Sequence, residues 1–231
     1  MNISDIPVKD EIKNVLRDKG FNKLYPTQEA AIKTDFLEGK NLVMSVPTAS
    51  GKTLVAEIAF AMNALKGKKT VYVVPLKALA QEKYQDFKKW EKIGLNINIT
   101  TGDFDESGEN LLNSDVIVCT SEKFDSLLRH NSHFKGDVDL IVIDETHLID
   151  SQERGTTLEM VMTHMKDNSQ IIGLSATISN AEELGNWLEA DVVKKNWRPV
   201  ELKKGVLDNN KVDYGDGKYK KVGDYINLSL R

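Results

Sequence analysis

The residues best suited to phosphate chemistry form the run VPTASGKT at positions 46–53. This run follows an apolar stretch typical of a buried strand and precedes an amphipathic stretch typical of a helix. In such a loop, backbone N–H groups and the helix N-terminus surround an anion, and Gly51 lets the backbone approach it. Lys52 would reach the outer phosphates, and the Thr53 hydroxyl would ligate Mg²⁺. A chance Gly-Lys-Thr turn is the alternative, because Val46 stands where the strict pattern has glycine.

Two adjacent carboxylates follow a second apolar run, in LIVIDETH at positions 140–147. Asp144 is placed to hold Mg²⁺ through water, and Glu145 to orient or deprotonate an attacking water. Two acids after a strand could instead cap the first turn of a helix. We favour the catalytic interpretation because a parallel sheet would bring both loops to the same edge.

A third polar group follows the apolar run that ends in LSATI at positions 174–178. The hydroxyls of Ser175 and Thr177 are expected to bond to the 144–147 loop and to respond to a bound nucleotide. The alternative is that these small polar residues only end a strand and cap the helix that begins near Asn180.

An α/β fold is needed to position these loops, and the hydrophobic pattern predicts one. Apolar runs predict strands at 41–46, 70–74, 96–100, 115–119, 140–144, 170–174 and, less clearly, 191–195. Amphipathic stretches predict helices at 51–66, 76–90, 121–129, 156–166 and 180–188. The prediction is a parallel sheet with helices on both faces and ligands at the carboxyl ends of the strands.

Two flanks differ from this body of the chain. Residues 1–40 predict two helices, at 5–19 and 27–38, separated by Gly20 and Pro26. Residues 206–231 are polar, and the segment 211–222 predicts a hairpin whose turn contains Gly215, Asp216 and Gly217. We therefore expect three parts, 1–40, 41–205 and 206–231, and a chain that is a fragment of a longer protein.

Composition sets further limits. The chain has 231 residues, 40% hydrophobic and 29% charged, with a net charge of −4, which is typical of globular domains and excludes disorder throughout. No apolar run approaches the ~20 residues of a membrane span, and no signal peptide is evident, so a cytoplasmic location without membrane contact is expected. A single cysteine, Cys119, excludes an internal disulfide. The acidic balance argues against binding nucleic acid by bulk charge.

Seven short motifs together resemble the first motor domain of superfamily 2 DExH helicases, in the same order. They are YPTQ (25–28), PTASGKT (47–53), PLKALA (75–80), TGD (101–103), TSEK (120–123), DETH (144–147) and SAT (175–177). The runs PLKALAQEKY, TSEKFD and NWRPVELKKGV are most similar to the Ski-type branch. Within that branch they resemble the archaeal fork-unwinding DNA helicases related to the helicase half of polymerase theta. The resemblance covers about residues 1–205.

The resemblance implies a RecA-like P-loop NTPase domain that uses ATP and Mg²⁺. It assigns Gln28 to the adenine edge and Lys52, Asp144 and Glu145 to catalysis, with Thr53 and Asp144 at the metal. The implied nucleotide contacts are Gln28, Thr48, Ala49, Ser50, Gly51, Lys52 and Thr53. His147, Ser175 and Thr177 would couple the nucleotide site to an adjoining motor domain.

The resemblance also implies loops that hold the backbone of one translocating strand. The implied strand contacts are Pro75, Lys77, Thr101, Gly102, Thr120, Ser121 and Lys123. Few of these residues are basic, so contacts would come from hydroxyls, backbone N–H groups and helix N-termini. The expected partner is single-stranded or forked DNA, and an RNA strand stays open because these loops do not distinguish the sugars.

The implied function is an ATP-dependent DNA helicase, 3′-to-5′ in direction, that acts on forked or branched DNA in repair. The alternatives are a Ski-type RNA helicase and a nucleotide-gated strand-binding module without turnover. A helicase motor also needs a second domain with an arginine finger, and none of the five arginines lies in a matching motif. We therefore expect the second motor domain to be missing and this chain alone to be nearly inactive.

Overall fold

The structure is a computed structural model that describes residues 1–102, 111, 113–130, 134–151, 155–202, 205–208, 211–213 and 219–221. The chain divides into two compact units, Met1–Trp197 and Arg198–Arg231. Residues 1–40 belong to the first unit together with the large sheet. Within the described ranges, every helix is too short or too polar to cross a membrane.

The first unit is built on a seven-stranded sheet in which all neighbouring strands are parallel. Its strands are β1 (Leu42–Ser45), β2 (Lys69–Val74), β3 (Ile97–Thr100), β4 (Val116–Thr120), β5 (Val138–Asp144), β6 (Gln170–Ser175) and β7 (Asp191–Lys194). Their order in the sheet is β3-β4-β2-β5-β6-β1-β7. The α/β parallel fold predicted from the apolar runs is confirmed, and β6 lies beside β5.

Helices cover both faces of this sheet. They are α1 (Asp10–Asp18), α2 (Pro26–Ile32), α3 (Lys52–Ala64), α4 (Lys77–Phe87), α5 (Ser121–His130), α6 (Phe134–Asp137), α7 (Gly155–Met165) and α8 (Ala181–Leu188). The core has two clusters, because successive residues of a strand face opposite sides. Tyr72 of β2 packs in one cluster with Phe60 and Phe87, whereas Val71 and Val73 pack in the other.

Two helices predicted near the N-terminus are shorter than expected. The helix predicted at 5–19 begins only at Asp10, because Pro7 holds Ile6 in an extended conformation after a 3₁₀ turn at Ile3–Asp5. The helix predicted at 27–38 ends at Ile32, and a separate 3₁₀ turn at Asp35–Glu38 follows. That turn buries Phe36, and a carboxylate at the start of β7 accepts its first N–H.

Two further 3₁₀ segments follow predicted elements, Lys88–Ile93 after α4 and Thr146–Asp150 after β5. The first means that the helix predicted at 76–90 ends as an α-helix at Phe87. The remaining predicted strands and helices of the first unit agree with the structure to within two residues at each end.

The second unit contains a small antiparallel sheet. Its strands are β8 (Val206–Asp208), β9 (Lys211–Asp213) and β10 (Tyr219–Lys221), in the order β10-β9-β8. The hairpin predicted at 211–222 is confirmed by the pairing of β9 with β10, although its turn, Gly215 to Gly217, lies outside the described residues. The pairing of β8 with β9 was not predicted.

Candidate nucleotide-binding site

The loop between β1 and α3 has the backbone of an anion-binding loop. Ala49 and Gly51 both adopt positive φ, 63° and 84°. Gly51 precedes the first residue of α3 and carries no side chain that could cap the helix. Gly51 therefore leaves the start of α3 without a capping side chain, which suits the binding of an anion by the first-turn N–H groups.

Lys52 is the first residue of α3, and its ammonium lies against this loop. Its side chain is buried, and its ammonium lies 3.4 Å from the carbonyl oxygen of Val46. Burial lowers the pKa of Lys52, whereas the negative charges of Glu145 and Asp144 act in the opposite direction. The sheet therefore brings the lysine and the two predicted acids into one electrostatic site.

Asp144 is held at the carboxyl end of β5. Its Oδ2 accepts a hydrogen bond from the hydroxyl of Tyr72, at 2.9 Å, and its Oδ1 accepts one from the N–H of Glu145. Tyr72 lies on the neighbouring strand β2, opposite Val142. Burial raises the pKa of Tyr72 well above its usual value, and the adjacent Asp144 charge raises it further. Tyr72 therefore stays protonated and orients the carboxylate.

Glu145 has a left-handed backbone, with φ 55° and ψ 45°. Non-glycine residues pay a cost for this conformation, which clusters at active sites and also occurs at helix ends. Its Oε2 lies 3.2 Å from Nδ1 of His147, outside hydrogen-bonding geometry. The predicted coupling residue therefore contacts the predicted water-activating residue.

The oxygens of Thr53 and Asp144 converge on one cation. The ammonium of Lys83 donates to Oγ1 of Thr53 at 3.2 Å and lies 3.9 Å from Oδ2 of Asp144. A hydroxyl and a carboxylate are hard oxygen ligands of the kind that Mg²⁺ prefers. Because both groups already face a single positive charge, the residues present fit a Mg²⁺ ion at this position.

The N-terminal segment is hydrogen-bonded to the phosphate loop. Gln28 is buried, and its amide donates to the carbonyl of Gly51 at 3.1 Å and accepts from the N–H of Tyr25 at 2.7 Å. Thr27 donates to the carbonyl of Ser50 at 2.6 Å. The structure thus places Gln28 against the loop, while its contact with adenine stays a prediction.

A cavity of about 320 Å³ adjoins the phosphate loop. Among its lining residues are Phe21, Tyr25, Gln28, Gly51 and Thr53. Aromatic and amide side chains next to a phosphate site offer both a stacking surface and polar groups for a base. Phe21 and Tyr25 were not predicted as site residues, although both lie close to Gln28 in the sequence.

The predicted link between the SAT loop and the acidic loop is made differently from our expectation. Oγ of Ser175 is buried and has no hydrogen-bond partner among the described residues, and Thr177 is exposed. Thr146 makes the link instead, because its hydroxyl lies 2.9 Å from the carbonyl oxygen of Ile143 and 3.3 Å from that of Leu174. The coupling roles of Ser175 and Thr177 stay predictions.

The residues predicted to contact a strand lie at the carboxyl ends of β2, β3 and β4, which are adjacent in the sheet. Lys77 and Gly102 are exposed, whereas Thr101, Thr120 and Ser121 are buried. The Thr120 hydroxyl accepts the N–H of Lys123 at 3.4 Å and so caps α5. Pro75 is partly exposed, and Asp103 of the TGD motif lies outside the described residues.

Comparison with known families decides the classification. The family described as DEAD/DEAH box helicase matches residues 25–184, which include every motif from YPTQ to SAT. The chain belongs to the DEAD/DEAH box helicase family. The resemblance seen in the motifs is therefore confirmed.

Individual helicases of high identity were also found. The ATP-dependent DNA helicase Hel308 of Thermococcus kodakarensis is 53% identical over 219 residues, which are 94% of this chain and 20% of that protein. The proteins of the same name from Pyrococcus abyssi and Methanocaldococcus jannaschii are 52% and 46% identical, over 94% and 92% of this chain and 30% and 18% of theirs. The chain thus spans about a fifth to a third of the length of these relatives.

The helicase fold is also confirmed by solved structures. The crystal structure of DUF1998 helicase MrfA matches with a TM-score of 0.71 at 25% identity, over 81% of this chain and 32% of that one. The structure of MrfA bound to DNA matches with a TM-score of 0.70 at 23% identity, over 82% and 30%. At this identity the second match supports the RecA-like fold alone.

The contact between Gly51 and Gln28 predicts a specific cost for a side chain in this helicase loop. A Cβ at Gly51 would lie 2.0 Å from Nε2 of Gln28. We expect Gly51→Ala to break the Gln28 contact and to lower the free energy of unfolding more than Gly94→Ala does. Gly94 has a nearly identical φ of 85° and no atom within 4 Å of a built Cβ.

The difference between these two variants should be about 1–2 kcal/mol, the value of a lost, partly buried hydrogen bond. Urea unfolding followed by circular dichroism measures it. Equal losses in the two variants would show that backbone strain alone accounts for the glycine at position 51.

Proposed function

We propose that this chain is the ATP-binding first motor domain of an ATP-dependent DNA helicase that moves 3′-to-5′ on forked or branched DNA. The observation that carries the proposal is that Thr53 and Asp144 lie around one ammonium at the end of a phosphate loop, with Lys52 in reach of the Asp144 charge. The names of the relatives support DNA as the substrate. Direction and preference for forks follow from the resemblance alone.

In this proposal the loop N–H groups and Lys52 bind the outer phosphates of ATP. Thr53 and Asp144 would hold Mg²⁺, which when bound would neutralise charge that develops on the phosphates. Tyr72 orients Asp144, and Glu145 accepts a proton from the attacking water or positions it. The base lies in the cavity beside Gln28.

The strand-binding surface would be the edge formed by the loops after β2, β3 and β4. Its hydroxyls are mostly buried, so backbone N–H groups and the exposed Lys77 would make the contacts. A net charge of −4 fits such local contacts better than a broad basic surface. A second motor domain would complete the strand site and supply an arginine finger.

Substitution of Lys52 tests the nucleotide site. Lys52→Ala removes a charge-assisted contact to phosphate, so the affinity for Mg²⁺–ATP should fall about 10–100-fold while the fold is kept. Isothermal titration calorimetry measures the affinity. Lys66→Ala is the matched control, because Lys66 is exposed just beyond the opposite end of α3. Equal affinity of the Lys52 variant and the parent would contradict the site.

A further inference from the structure

Lys83 of α4 is directed towards the candidate nucleotide site rather than towards solvent. Its side chain is only 14% exposed, while its neighbours Glu82 and Asp86 are exposed. Its ammonium bridges Thr53 on α3 and Asp144 on β5. These are the same two side chains that the proposed function assigns to Mg²⁺.

The charges explain why a lysine is held there. The Asp144 side chain is 12% exposed, and its other side-chain partner is the hydroxyl of Tyr72, which carries no charge. A carboxylate this deeply buried is costly unless a cation lies close to it. The charge of Lys52 also acts on Asp144, but among the described residues Lys83 is the lysine that forms an ion pair with this carboxylate, at 3.9 Å.

We propose that Lys83 is a positioning residue that holds the metal position between Thr53 and Asp144 until Mg²⁺ displaces it. This inference rests on the proposed nucleotide site. Two cations cannot share one pair of ligands, because their mutual repulsion at a few ångströms is large. Entry of Mg²⁺ therefore requires the ammonium of Lys83 to leave Thr53 and Asp144.

The place of Lys83 in the fold gives this exchange a consequence at the strand-binding edge. α4 begins at the exposed Lys77, about 9 Å along the helix from Lys83 at 1.5 Å per residue. The helix is thus tied at one point to the metal position and at its start to the edge proposed to contact a strand. Displacement of Lys83 breaks the contacts of α4 with Thr53 and Asp144. Metal binding therefore removes one of the two attachments of this helix.

The affinity for a metal ion tests the proposal directly. Mn²⁺ would replace Mg²⁺, with ADP at saturation, and bound Mn²⁺ would be counted by electron paramagnetic resonance on the whole chain. Lys83→Met removes the competing charge at similar length, so Mn²⁺ should bind about 5–20-fold more tightly. Lys83→Arg keeps the charge and should stay within about threefold of the parent.

The control is Lys89→Met, which removes a charge from an exposed residue. Lys89 and Lys83 both line the cavity beside the phosphate loop. Its Mn²⁺ affinity should differ from that of the parent by less than Lys83→Met does. Mn²⁺ affinity that is unchanged or weaker in Lys83→Met would overturn the proposal. If the Mn²⁺ affinity is unchanged and the melting temperature is lower, the role of Lys83 is purely structural.

Titration with ADP separates the role of Lys83 from the existence of the nucleotide site. If the parent chain does not bind ADP at all, the nucleotide site itself is wrong. If ADP binds to the parent and to Lys83→Met but the Mn²⁺ affinities are equal, only the role of Lys83 is wrong. Circular dichroism of each variant establishes that the compared chains are folded.

Discussion

Glu145→Gln in the full-length enzyme should leave ATP binding intact and slow ATP hydrolysis about 10²–10⁴-fold. The substitution keeps the size of the side chain but removes its ability to accept a proton. Glu145 lies beside His147 and acts electrostatically on Lys52, so its carboxylate is part of the site. Steady-state phosphate release and ATP titration together separate hydrolysis from binding.

Glu189 provides a matched control for this substitution. It shares the unusual left-handed backbone of Glu145, with φ 51°, but it is an exposed residue at the end of α8. Glu189→Gln should therefore hydrolyse ATP at the parent rate. Hydrolysis at the parent rate by Glu145→Gln as well would reduce Glu145 to a residue that shapes the loop backbone.

The 231-residue chain alone should hydrolyse ATP about 10³–10⁵-fold more slowly than a full-length relative such as the Pyrococcus abyssi helicase. That range is the typical contribution of an arginine finger to phosphoryl transfer. Unwinding should be absent as well, because it needs two domains that close on a strand. Phosphate release with single-stranded DNA, and unwinding of a labelled fork, measure both at equal protein concentration.

The two described arginines of the first unit support this expectation. Arg17 donates to Asn14 on the exposed face of α1, and Arg129 pairs with Asp125 on α5. Neither helix carries the phosphate loop or the acidic loop, and Arg154 and Arg231 lie outside the described residues.

A concentration series supplies the control. Turnover per chain should not depend on concentration, whereas a steep rise would show that self-association supplies an arginine from another copy. Turnover at the rate of the full-length relative would mean that one of the chain's own five arginines is catalytic.

Local patterns in the sequence were sufficient to predict the α/β fold, and they also indicated the residues at the centre of the candidate nucleotide site. Buried parallel strands need continuous apolar runs, so the runs at 41–46, 140–144 and 170–174 were visible without a structure. The run Gly51-Lys52-Thr53 was recognisable for a similar reason, since its backbone chemistry depends on a strand before it and a helix after it.

Helix ends were less predictable where tertiary contacts set them. The hydrophobic pattern at 27–38 continues past Ile32, but the helix ends there. The break arises because burial of Phe36 and a contact with Asp191 fix the following turn. Such contacts join positions more than 150 residues apart, and periodicity within a short window carries no information about them.

The supporting residues of the site were decided only by the tertiary structure. Tyr72 reaches Asp144 because β2 pairs with β5. Lys83 reaches Thr53 because α4 begins directly after β2, at the ends of the strands where the phosphate loop also lies. Thr146, rather than Ser175, connects the acidic loop to β6. The residues in these contacts lie 28 to 72 positions apart in the chain. Their chemistry follows from strand order and packing, which no local pattern of side chains specifies.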